Sequence, residues 1–357
     1  MARIVLDGVT KTYGGVPALE NANLVVENAS FTSVFGPPGC GKSVLLRLLL
    51  GLESVDSGRI LIDDVEVTRA QPKERNFSMV FQNLALFPHL NARDNIAFPL
   101  VRRGTSQNVI DERLDSVAGV LSISHILHKK PAALSGGERQ RVAIGRALVR
   151  DATAYLMDEP IAALDARLRD VMRVELKRLQ SEFGHTFVYV THDNEEAMSV
   201  ADRMAILERG RIRQIDKPDT IYAEPSTISV AELVGSPKIN ILPVKIDGTA
   251  ITAPFGSVDL EGSLLDKLKN TGGVVLGVRP EAVKLHSGNG NSETGAALIS
   301  DIERLGGFSI VTMKVDEFEI RALADGDPTL AIGEEVSLRV DAADCHFFGE
   351  ADGARII

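Results

Sequence analysis

A glycine-rich segment between a predicted strand and a predicted helix constrains this chain more than any other feature. The segment, Gly36-Pro-Pro-Gly-Cys-Gly-Lys-Ser43, fits the pattern G-x-x-x-x-G-K-[ST]. It follows the apolar run 31–35, predicted as a strand, and precedes a leucine-rich run to Leu50, predicted as a buried helix. This order predicts an α/β unit whose loop lies at the carboxyl end of a strand, where such sheets bind their ligands.

The residue types of this loop suit the binding of phosphate. Glycines let successive backbone N–H groups converge on phosphate oxygens, and the following helix presents its positive end. Lys42, also a predicted catalytic residue, would bridge the β- and γ-phosphates, and Ser43 would hold Mg²⁺. A glycine turn before a core helix is the alternative, but the pattern arises by chance in only about 1% of chains this long. The predicted ATP-binding loop residues are Gly36, Pro37, Pro38, Gly39, Cys40, Gly41, Lys42, Ser43 and Val44.

Composition excludes several classes of protein. With 44% hydrophobic and 25% charged residues, the 357-residue chain is typical of a soluble globular protein with room for two domains. Its longest strongly apolar stretch, Val44 to Leu52, contains Arg47 and falls far short of the ~20 residues that cross a bilayer. We expect neither a membrane span nor a secretory signal.

The two cysteines, Cys40 and Cys345, are too few for a disulfide framework, so a reducing cytosol is the expected compartment. Cys40 has two interpretations. It is either a small residue that fills a tight loop, which we favour, or a thiol made reactive by Lys42 and the surrounding N–H groups.

Two domains are predicted, 1–235 and 236–357. The first alternates short apolar runs with helical patterns, as in an α/β fold, and helical patterns at Val109 to Leu121 and about Gly137 to Val149 predict a helical subdomain at about 88–152. The second has short alternating runs, which predict an all-β domain with a small barrel. Examples are the runs 274–278 and 310–315, with turns at Gly306-Gly307 and Gly288–Asn291.

Charge divides unevenly between these predicted domains. Residues 236–357 contain 11 Lys and Arg against 19 Asp and Glu, a net charge of −8, which leaves −2 for the first 235 residues. Strong non-specific binding to nucleic acid or to an anionic membrane rests on clustered Lys and Arg. We therefore expect no nucleic acid partner.

Two carboxylates follow the apolar run from Ala154, which is predicted as a strand. Asp158 would face the Mg²⁺ shell, and Glu159 would polarise a water for in-line attack on the γ-phosphate as the general base. A solvated turn or a helix cap is the alternative for such a pair taken alone.

Ser135-Gly136-Gly137 precedes a predicted helix and forms a second candidate anion site. Because one nucleotide has a single γ-phosphate, this second helix end is most simply explained if it serves the ATP of another subunit. ATP would then be sandwiched at a dimer interface. The alternative is a glycine entry into a capped helix.

Taken together, these residues resemble the nucleotide-binding subunits of ATP-binding cassette transporters. Leu134-Ser-Gly-Gly-Glu-Arg-Gln-Arg141 is similar to the signature sequence of that family. The resemblance implies a P-loop cassette with a RecA-like core and a helical subdomain. It also implies ATP hydrolysis with Mg²⁺ as a cofactor.

The resemblance implies roles for four further residues. Tyr13 matches the aromatic residue that stacks on adenine, and Gln82 matches a loop glutamine at the metal site, between the active site and the membrane partner. Asp165, in Ala163-Leu-Asp165, matches the loop that crosses the dimer interface toward the ATP of the opposite subunit. His192 matches the histidine that contacts the γ-phosphate and is predicted to be catalytic together with Glu159.

The resemblance extends into the second domain. Gly277-Val-Arg-Pro-Glu-Ala282 and Cys345-His-Phe-Phe-Gly349 are similar to the regulatory domain of bacterial importers of the maltose and glycerol-phosphate class. This implies an oligonucleotide-binding-type barrel used for dimerisation and regulation. Implied partners are a second cassette in a homo- or heterodimer, two transmembrane permease subunits and, indirectly, an extracytoplasmic solute-binding protein. The implied location is peripheral, on the cytoplasmic face of the bacterial inner membrane.

Four residues depart from the family pattern. Pro38 and Val44 replace Ser and Thr, which removes donors that can face the nucleotide phosphates. Losing two neutral hydrogen bonds would cost about 1–3 kcal/mol, so we expect an active ATPase with weakened nucleotide binding. Ala162 lacks a cross-subunit hydroxyl, and Asn194 replaces Gln with little expected effect.

Three functions remain open from the sequence. The favoured one is an ATPase that energises import of a carbohydrate, a polyol or a sugar phosphate. The second is a subunit with little or no hydrolysis, either a weakly or non-hydrolysing partner in a heterodimeric importer or a non-hydrolysing regulatory subunit whose barrel binds a signalling protein. A soluble cassette protein of ribosomes or chromosomes is the third, but such chains usually carry two cassettes or a long coiled coil.

Overall fold

The computed structural model describes residues 2–162, 164–247, 250–260, 262–269, 271–287 and 296–356. The chain forms two compact units, Met1–Pro218 and Asp219–Ile357. In the described ranges, no helix is both long enough and apolar enough to cross a membrane.

The first unit contains two sheets. A four-stranded antiparallel sheet has the order β2-β1-β4-β5, and a six-stranded sheet has the order β10-β9-β3-β8-β7-β6. In the second sheet β9, β3, β8, β7 and β6 run parallel, while the edge strand β10 is antiparallel to β9. The strands are β1 (Ile4–Tyr13), β2 (Val16–Val26), β3 (Phe31–Phe35), β4 (Ser57–Ile62), β5 (Val65–Glu66), β6 (Ser78–Val80), β7 (Tyr155–Asp158), β8 (Phe187–Thr191), β9 (Arg203–Glu208) and β10 (Arg211–Asp216).

The helices of the first unit pack on both faces of the six-stranded sheet. Every residue of β3 and β8 is buried, as expected for central strands covered on two sides. The helices are α1 (Lys42–Leu50), α2 (Pro72–Arg75), α3 (Ala92–Arg102), α4 (Gln107–Val120), α5 (Gly136–Leu148), α6 (Ala166–Phe183) and α7 (Asn194–Val200). Helices α3 to α5 lie between β6 and β7 in the chain, where the helical subdomain is predicted.

Two apolar cores stabilise this unit. One packs α3, α4, α5 and α6 on one face of the six-stranded sheet, around Tyr155 and Phe187. The other encloses α1 between the two sheets, so that Leu45 and Leu48 contact a core that includes Leu19 and Val188. Helix α1 is therefore held from both sides along its length.

The second unit is mainly β. Its antiparallel sheets have the orders β11-β15-β21, β12-β13-β14 and β16-β20-β17-β18-β19, and all three contribute to one core that includes Leu276, Ile251 and Val311. Its strands are β11 (Asn240–Pro243), β12 (Lys245–Asp247), β13 (Ala250–Ala253), β14 (Gly256–Asp259), β15 (Val274–Val278), β16 (Lys284–Ser287), β17 (Ala296–Arg304), β18 (Phe308–Val315), β19 (Phe318–Asp325), β20 (Glu335–Arg339) and β21 (Cys345–Gly349). Its helices are α8 (Pro218–Ala223), which begins at the division, α9 (Ile228–Leu233) and α10 (Gly262–Lys269).

Predicted elements lie close to the observed ones. The strand at 31–35 is β3, the helical patterns correspond to α1, α4 and α5, and the runs 274–278 and 310–315 lie in β15 and β18. Strand β7 is shifted by one residue and includes Asp158 itself. The predicted turn at Gly288–Asn291 lies outside the described residues.

Arg279 joins the segment after residue 219 to the β-rich part of the second unit. Its guanidinium donates hydrogen bonds to the carbonyls of Ala231 (3.0 Å), Val234 (2.5 Å) and Tyr222 (2.9 Å), and it stacks 4.0 Å from the centre of the Tyr222 ring. These contacts attach the segment with Tyr222, Ala231 and Val234 to the second unit, which therefore begins at Asp219, before the predicted boundary at residue 235. The limits 1–235 and 236–357 therefore remain a prediction.

We predict that Arg279→Met destabilises the second unit. The substitution leaves three carbonyls without their donor, and each buried acceptor left unpaired costs about 1–3 kcal/mol. Urea unfolding of the full chain measures the loss. Arg339→Met is the control, because the Arg339 side chain is 69% exposed, and it should change stability by no more than about 0.5 kcal/mol. Equal losses in both variants would contradict the role assigned to Arg279.

Candidate functional site

Lys42 lies under the glycine-rich loop, at the start of α1. Its ammonium donates hydrogen bonds to the carbonyls of Gly36 (2.6 Å) and Pro37 (2.9 Å), and the residue is only 7% exposed. The loop follows β3 directly, so the end of a buried strand and the start of a buried helix together fix its position. A buried cation at a helix N-terminus attracts anions.

Two glycines of the loop are required by close backbone contacts. A Cβ at Gly36 would lie 2.0 Å from the Leu207 carbonyl oxygen, and one at Gly41 would lie 2.4 Å from the Ala18 carbonyl oxygen. Gly41 also has a φ of +113°, a conformation that favours glycine. The loop is thus packed directly against the backbone of two neighbouring segments, near Ala18 and Leu207, which fixes its position.

Cys40 lies inside this loop and is 5% exposed. Burial raises the pKa of its thiol, and the nearby Lys42 ammonium, 3.9 Å from the sulfur, only partly opposes this shift. A raised pKa disfavours the thiolate, which is the reactive form. The structure therefore favours the interpretation of Cys40 as a small filler of the loop.

Asp158 and Ser43 form the second element of the site. Asp158 is 8% exposed at the end of β7, and Ser43 lies at the start of α1, near enough for its hydroxyl to influence the Asp158 carboxyl. Burial raises the pKa of Asp158, the nearby Ser43 hydroxyl lowers it, and the charge of Glu159 raises it further. No group of three or more His, Cys, Asp or Glu side chains suited to a metal occurs among the described residues. The Ser43 and Asp158 oxygens are nevertheless the hard ligands that Mg²⁺ prefers beside phosphate oxygens.

Glu159 forms the third element, together with side chains from two other strand ends. Its carboxylate accepts a hydrogen bond from the Gln82 amide (3.1 Å) and lies 2.7 Å from His192 Nδ1. Gln82 follows β6, Glu159 follows β7 and His192 follows β8, and these strands are adjacent and parallel. Parallel register thus brings three side chains, far apart in sequence, to one edge of the sheet.

The backbone of Glu159 is held in an unusual conformation. Its φ is +47°, and its N–H donates to the Val190 carbonyl at 2.9 Å. For a residue with a Cβ, such a conformation costs about 1–3 kcal/mol and tends to occur at functional sites. The Glu159 side chain is only 14% exposed, whereas that of His192 is 48% exposed.

The residues predicted to face the opposite subunit form a separate group. Ser135 caps α5 by accepting a hydrogen bond from the Glu138 N–H (3.2 Å), and Asp165 caps α6 by accepting one from the Leu168 N–H (2.9 Å). Between them, a Cβ on Gly137 would lie 2.7 Å from a Leu168 methyl carbon, so Gly137 packs close to the start of α6. Within the ranges that the structure describes, no hydrogen bond or ion pair joins this group to Lys42 or Ser43.

Tyr13 is 45% exposed and lies at the end of β1. Its hydroxyl hydrogen-bonds Glu53, which forms an ion pair with Arg47 of α1 at 3.3 Å. The Lys11 ammonium lies 5.5 Å from the centre of the ring. Tyr13 is therefore linked to α1 while much of its side chain stays accessible.

Comparison with protein families gives three matches along the chain. Residues 19–162 match the ABC transporter family, 235–283 match the MalK OB fold domain and 276–348 match the TOBE domain. The chain is also 41% identical to the sn-glycerol-3-phosphate import ATP-binding protein UgpC of Brucella abortus, over 100% of this chain and 99% of that protein. It is 40% identical to UgpC of Rhizobium meliloti, over 100% of both chains.

The chain belongs to the ATP-binding proteins of ABC transporters. Among solved structures, it is similar to a dimeric ATP-binding cassette in a post-hydrolysis state, bound to ADP and phosphate. That match has a TM-score of 0.55 and 32% identity, and it covers 60% of this chain and 98% of the other. The family, the fold class and the ATPase activity predicted from the motifs are thereby confirmed.

In this ABC ATPase, the four departures from the family pattern have different surroundings. Pro38 and Ala162 are exposed, so neither substitution is explained by packing. Val44 packs against the core between the two sheets, which accounts for an apolar side chain there. The Asn194 side-chain oxygen is buried and has no hydrogen-bond partner among the described residues. Ala163 of the predicted interface loop lies outside the described residues.

In this ABC ATPase, a hydrogen-bond network beside His192 was not predicted from the sequence. Glu196 is 1% exposed and accepts hydrogen bonds from the hydroxyls of Thr191 (2.7 Å) and Tyr189 (2.9 Å). Arg169 of α6 reaches toward the same carboxylate at 3.8 Å. An acidic residue one helical turn after the Thr-His-Asp segment was the available signal, but a solvated helix N-terminus gives the same pattern.

We predict that Gly36→Ala strongly weakens ATP binding. The new Cβ overlaps the Leu207 carbonyl oxygen, so the loop or the end of β9 must move. Gly119→Ala is the matched control, because nothing lies within 4 Å of the Cβ position at Gly119 in α4. Fluorescent nucleotide titration of both full-length variants measures the effect. Unchanged affinity in Gly36→Ala would show that this contact does not constrain the loop.

Proposed function

We propose that this protein hydrolyses ATP to drive the import of a small phosphorylated polyol or sugar, with sn-glycerol-3-phosphate as the leading candidate. The solute is proposed from the names of the relatives, because this chain aligns with those proteins along almost their whole length. The assignment of the catalytic site rests chiefly on one observation, the position of Glu159 between Gln82 and His192 and next in sequence to the Asp158–Ser43 pair. A carboxylate that is only 14% exposed and has such partners suits a general base.

Within one subunit, the glycine-rich loop and Lys42 bind the phosphates of ATP. Ser43, Asp158 and Gln82 would hold Mg²⁺, which would neutralise charge on the β- and γ-phosphates. Glu159 orients the attacking water and accepts its proton, while His192 holds the Glu159 carboxylate through Nδ1 and faces the γ-phosphate. Tyr13 offers its exposed ring to adenine.

The catalytic pocket is completed by a second cassette. Ser135, Gly136, Gly137 and Asp165 form a group apart from Lys42 and Ser43 in their own chain, which supports a role at the ATP of the opposite subunit. Ser135 is exposed at the N-terminus of α5, where backbone N–H groups attract anions. Two such subunits close on two ATP molecules, as a homodimer or with a related cassette.

Two transmembrane permease subunits are the proposed partners on the helical side of the first unit. Phe81, Phe87 and Phe98 line a surface cavity of about 400 Å³, and Phe81 is 37% exposed. Arg146 fixes the loop beneath it by donating to the carbonyls of Leu84 and Ala85. An aromatic groove next to Gln82 suits the binding of a permease helix whose movement is coupled to the catalytic site. The protein would then lie on the cytoplasmic face of the bacterial inner membrane, with a solute-binding protein acting on the other side.

We predict that Glu159→Gln abolishes ATP turnover and traps a closed dimer with ATP bound. Glutamine keeps the size of the side chain but cannot accept the proton of the attacking water. Phosphate release, size-exclusion chromatography with ATP, and uptake of labelled glycerol phosphate into vesicles that contain the permeases measure the three expected effects.

Glu195→Gln serves as the carboxylate control, because the Glu195 side chain is 73% exposed on α7. It should keep turnover and uptake. A Glu159→Gln protein that retains hydrolysis would show that another group is the base. Full hydrolysis in the native protein without glycerol phosphate uptake would reject only the proposed solute.

We predict that Pro38→Ser tightens ATP binding. Serine restores a backbone N–H and a hydroxyl, and each neutral hydrogen bond contributes about 0.5–1.5 kcal/mol, or about 2- to 10-fold in affinity. Pro38→Ala restores the N–H alone, so it should give a smaller gain. Nucleotide titration compares the three proteins. Unchanged or weaker binding in both variants would contradict the proposed weakness of the native loop.

A further inference from the structure

Arg169 lies between the segment that carries Asp165 and the segment that carries His192. It is one turn into α6, and its backbone N–H donates to the Asp165 carbonyl at 2.9 Å. Its guanidinium reaches back to the Leu164 carbonyl at 3.4 Å and across to the Asp193 carboxylate at 3.3 Å. One cation therefore contacts the segment that carries Asp165 and the residue next to His192.

On the Asp193 side of this contact, hydrogen bonds fix the position of the backbone. Asp193 caps α7 by accepting a hydrogen bond from the Glu196 N–H at 3.0 Å, and its own N–H donates to the Thr191 hydroxyl at 3.0 Å. The Thr191 hydroxyl in turn donates to the buried Glu196 carboxylate. His192 therefore lies in a short segment whose neighbours on both sides are fixed by hydrogen bonds.

Arg169 also faces a charge that needs compensation. Glu196 is 1% exposed, and a buried carboxylate without a cation is costly. The Arg169 Nε atom lies 3.8 Å from this carboxylate and has no hydrogen-bond partner in the described part of the chain. A small shift of α6 would bring Arg169 into direct contact with Glu196 or take it further away.

We propose that Arg169 is a positioning residue that couples the partner-facing Asp165 segment to His192 of the same subunit. The inference rests on the proposed function, in which Asp165 serves the ATP of one site and His192 the ATP of the other. When the two cassettes close, a movement of the Asp165 segment would shift Arg169 and, through it, Asp193. The shift of Asp193 would in turn move the His192 ring beside Glu159. Each subunit would thereby report the state of one site to the other.

The experiment compares Arg169→Met with Arg167→Met in the full-length protein. Arg167 is exposed on the same helix, so Arg167→Met is the control that removes an equal charge. We expect Arg169→Met to lower the Hill coefficient of ATP hydrolysis toward unity. We also expect it to lower kcat by up to about 100-fold, the loss that a displaced catalytic group can cause. Fluorescent nucleotide affinity should stay within about twofold of the native value, since Arg169 contacts no residue of the glycine-rich loop.

Two further variants separate coupling from folding. Asp193→Asn removes the charge that faces Arg169 but keeps a side chain that can cap α7. It should reproduce the loss of cooperativity, and adding it to Arg169→Met should cause little further loss, because the two side chains act through one contact. Arg169→Lys should restore part of the cooperativity. Thermal unfolding monitors the fold, and if Arg169→Met does not fold, Asp193→Asn and Arg169→Lys decide the question.

The outcomes distinguish this inference from the proposed function. A native protein without cooperativity, or an Arg169→Met protein with native cooperativity and kcat, would overturn the coupling. His192→Ala is the reference for the site. If it retains turnover, the proposed site is wrong; if it loses turnover while Arg169→Met behaves like Arg167→Met, only the coupling fails.

Discussion

The adjacency of the parallel strands β6, β7 and β8 is the constraint on which the candidate site depends. Their carboxyl ends place Gln82, Glu159 and His192 side by side, although long helical segments separate them in the sequence. The backbone bond from Glu159 to the Val190 carbonyl continues the ladder past Asp158 and holds the strained φ of Glu159. The position of the carboxylate is thus determined by the sheet, and the strain is offset by the packing of β7 and β8.

The helix that carries the phosphate-binding loop is fixed at both ends. At its start, Lys42 is bound to loop carbonyls and Gly41 fits against the Ala18 carbonyl. At its end, the buried Arg75 donates to the carbonyls of Leu48 (2.6 Å) and Leu49 (2.7 Å), where a cation also complements the helix dipole. Since its sides are enclosed by the two sheets, α1 has little freedom to move relative to the strand ends. Such rigidity would hold the proposed catalytic groups in register with the phosphates of bound ATP.

The sequence predicts the local parts of this site and misses the contacts between them. The loop 36–43 and its flanking elements could be assigned because their residue types and spacing are dictated by local backbone geometry. The Glu196 and Arg169 network could not, because a buried carboxylate and a solvated helix residue have the same local pattern, and burial depends on the packing of α6 against α7. Arg279 likewise stands in a recognised motif, yet its three carbonyl partners lie more than forty residues away in the sequence.

The separation of the site residues into two groups within one chain explains why hydrolysis should depend on pairing. In the proposed site, Lys42, Ser43, Asp158 and Glu159 would provide phosphate binding and a base, but the N-terminus of α5 belongs to the other group, beside Asp165. In that arrangement a single subunit would lack part of the positive field around the γ-phosphate, and the electrostatic stabilisation that dominates phosphoryl transfer would stay incomplete. Arg169 offers this division a physical link, because its guanidinium contacts Leu164, next to Asp165, and Asp193, next to His192. Through these contacts, closure at one ATP would alter the geometry at the other.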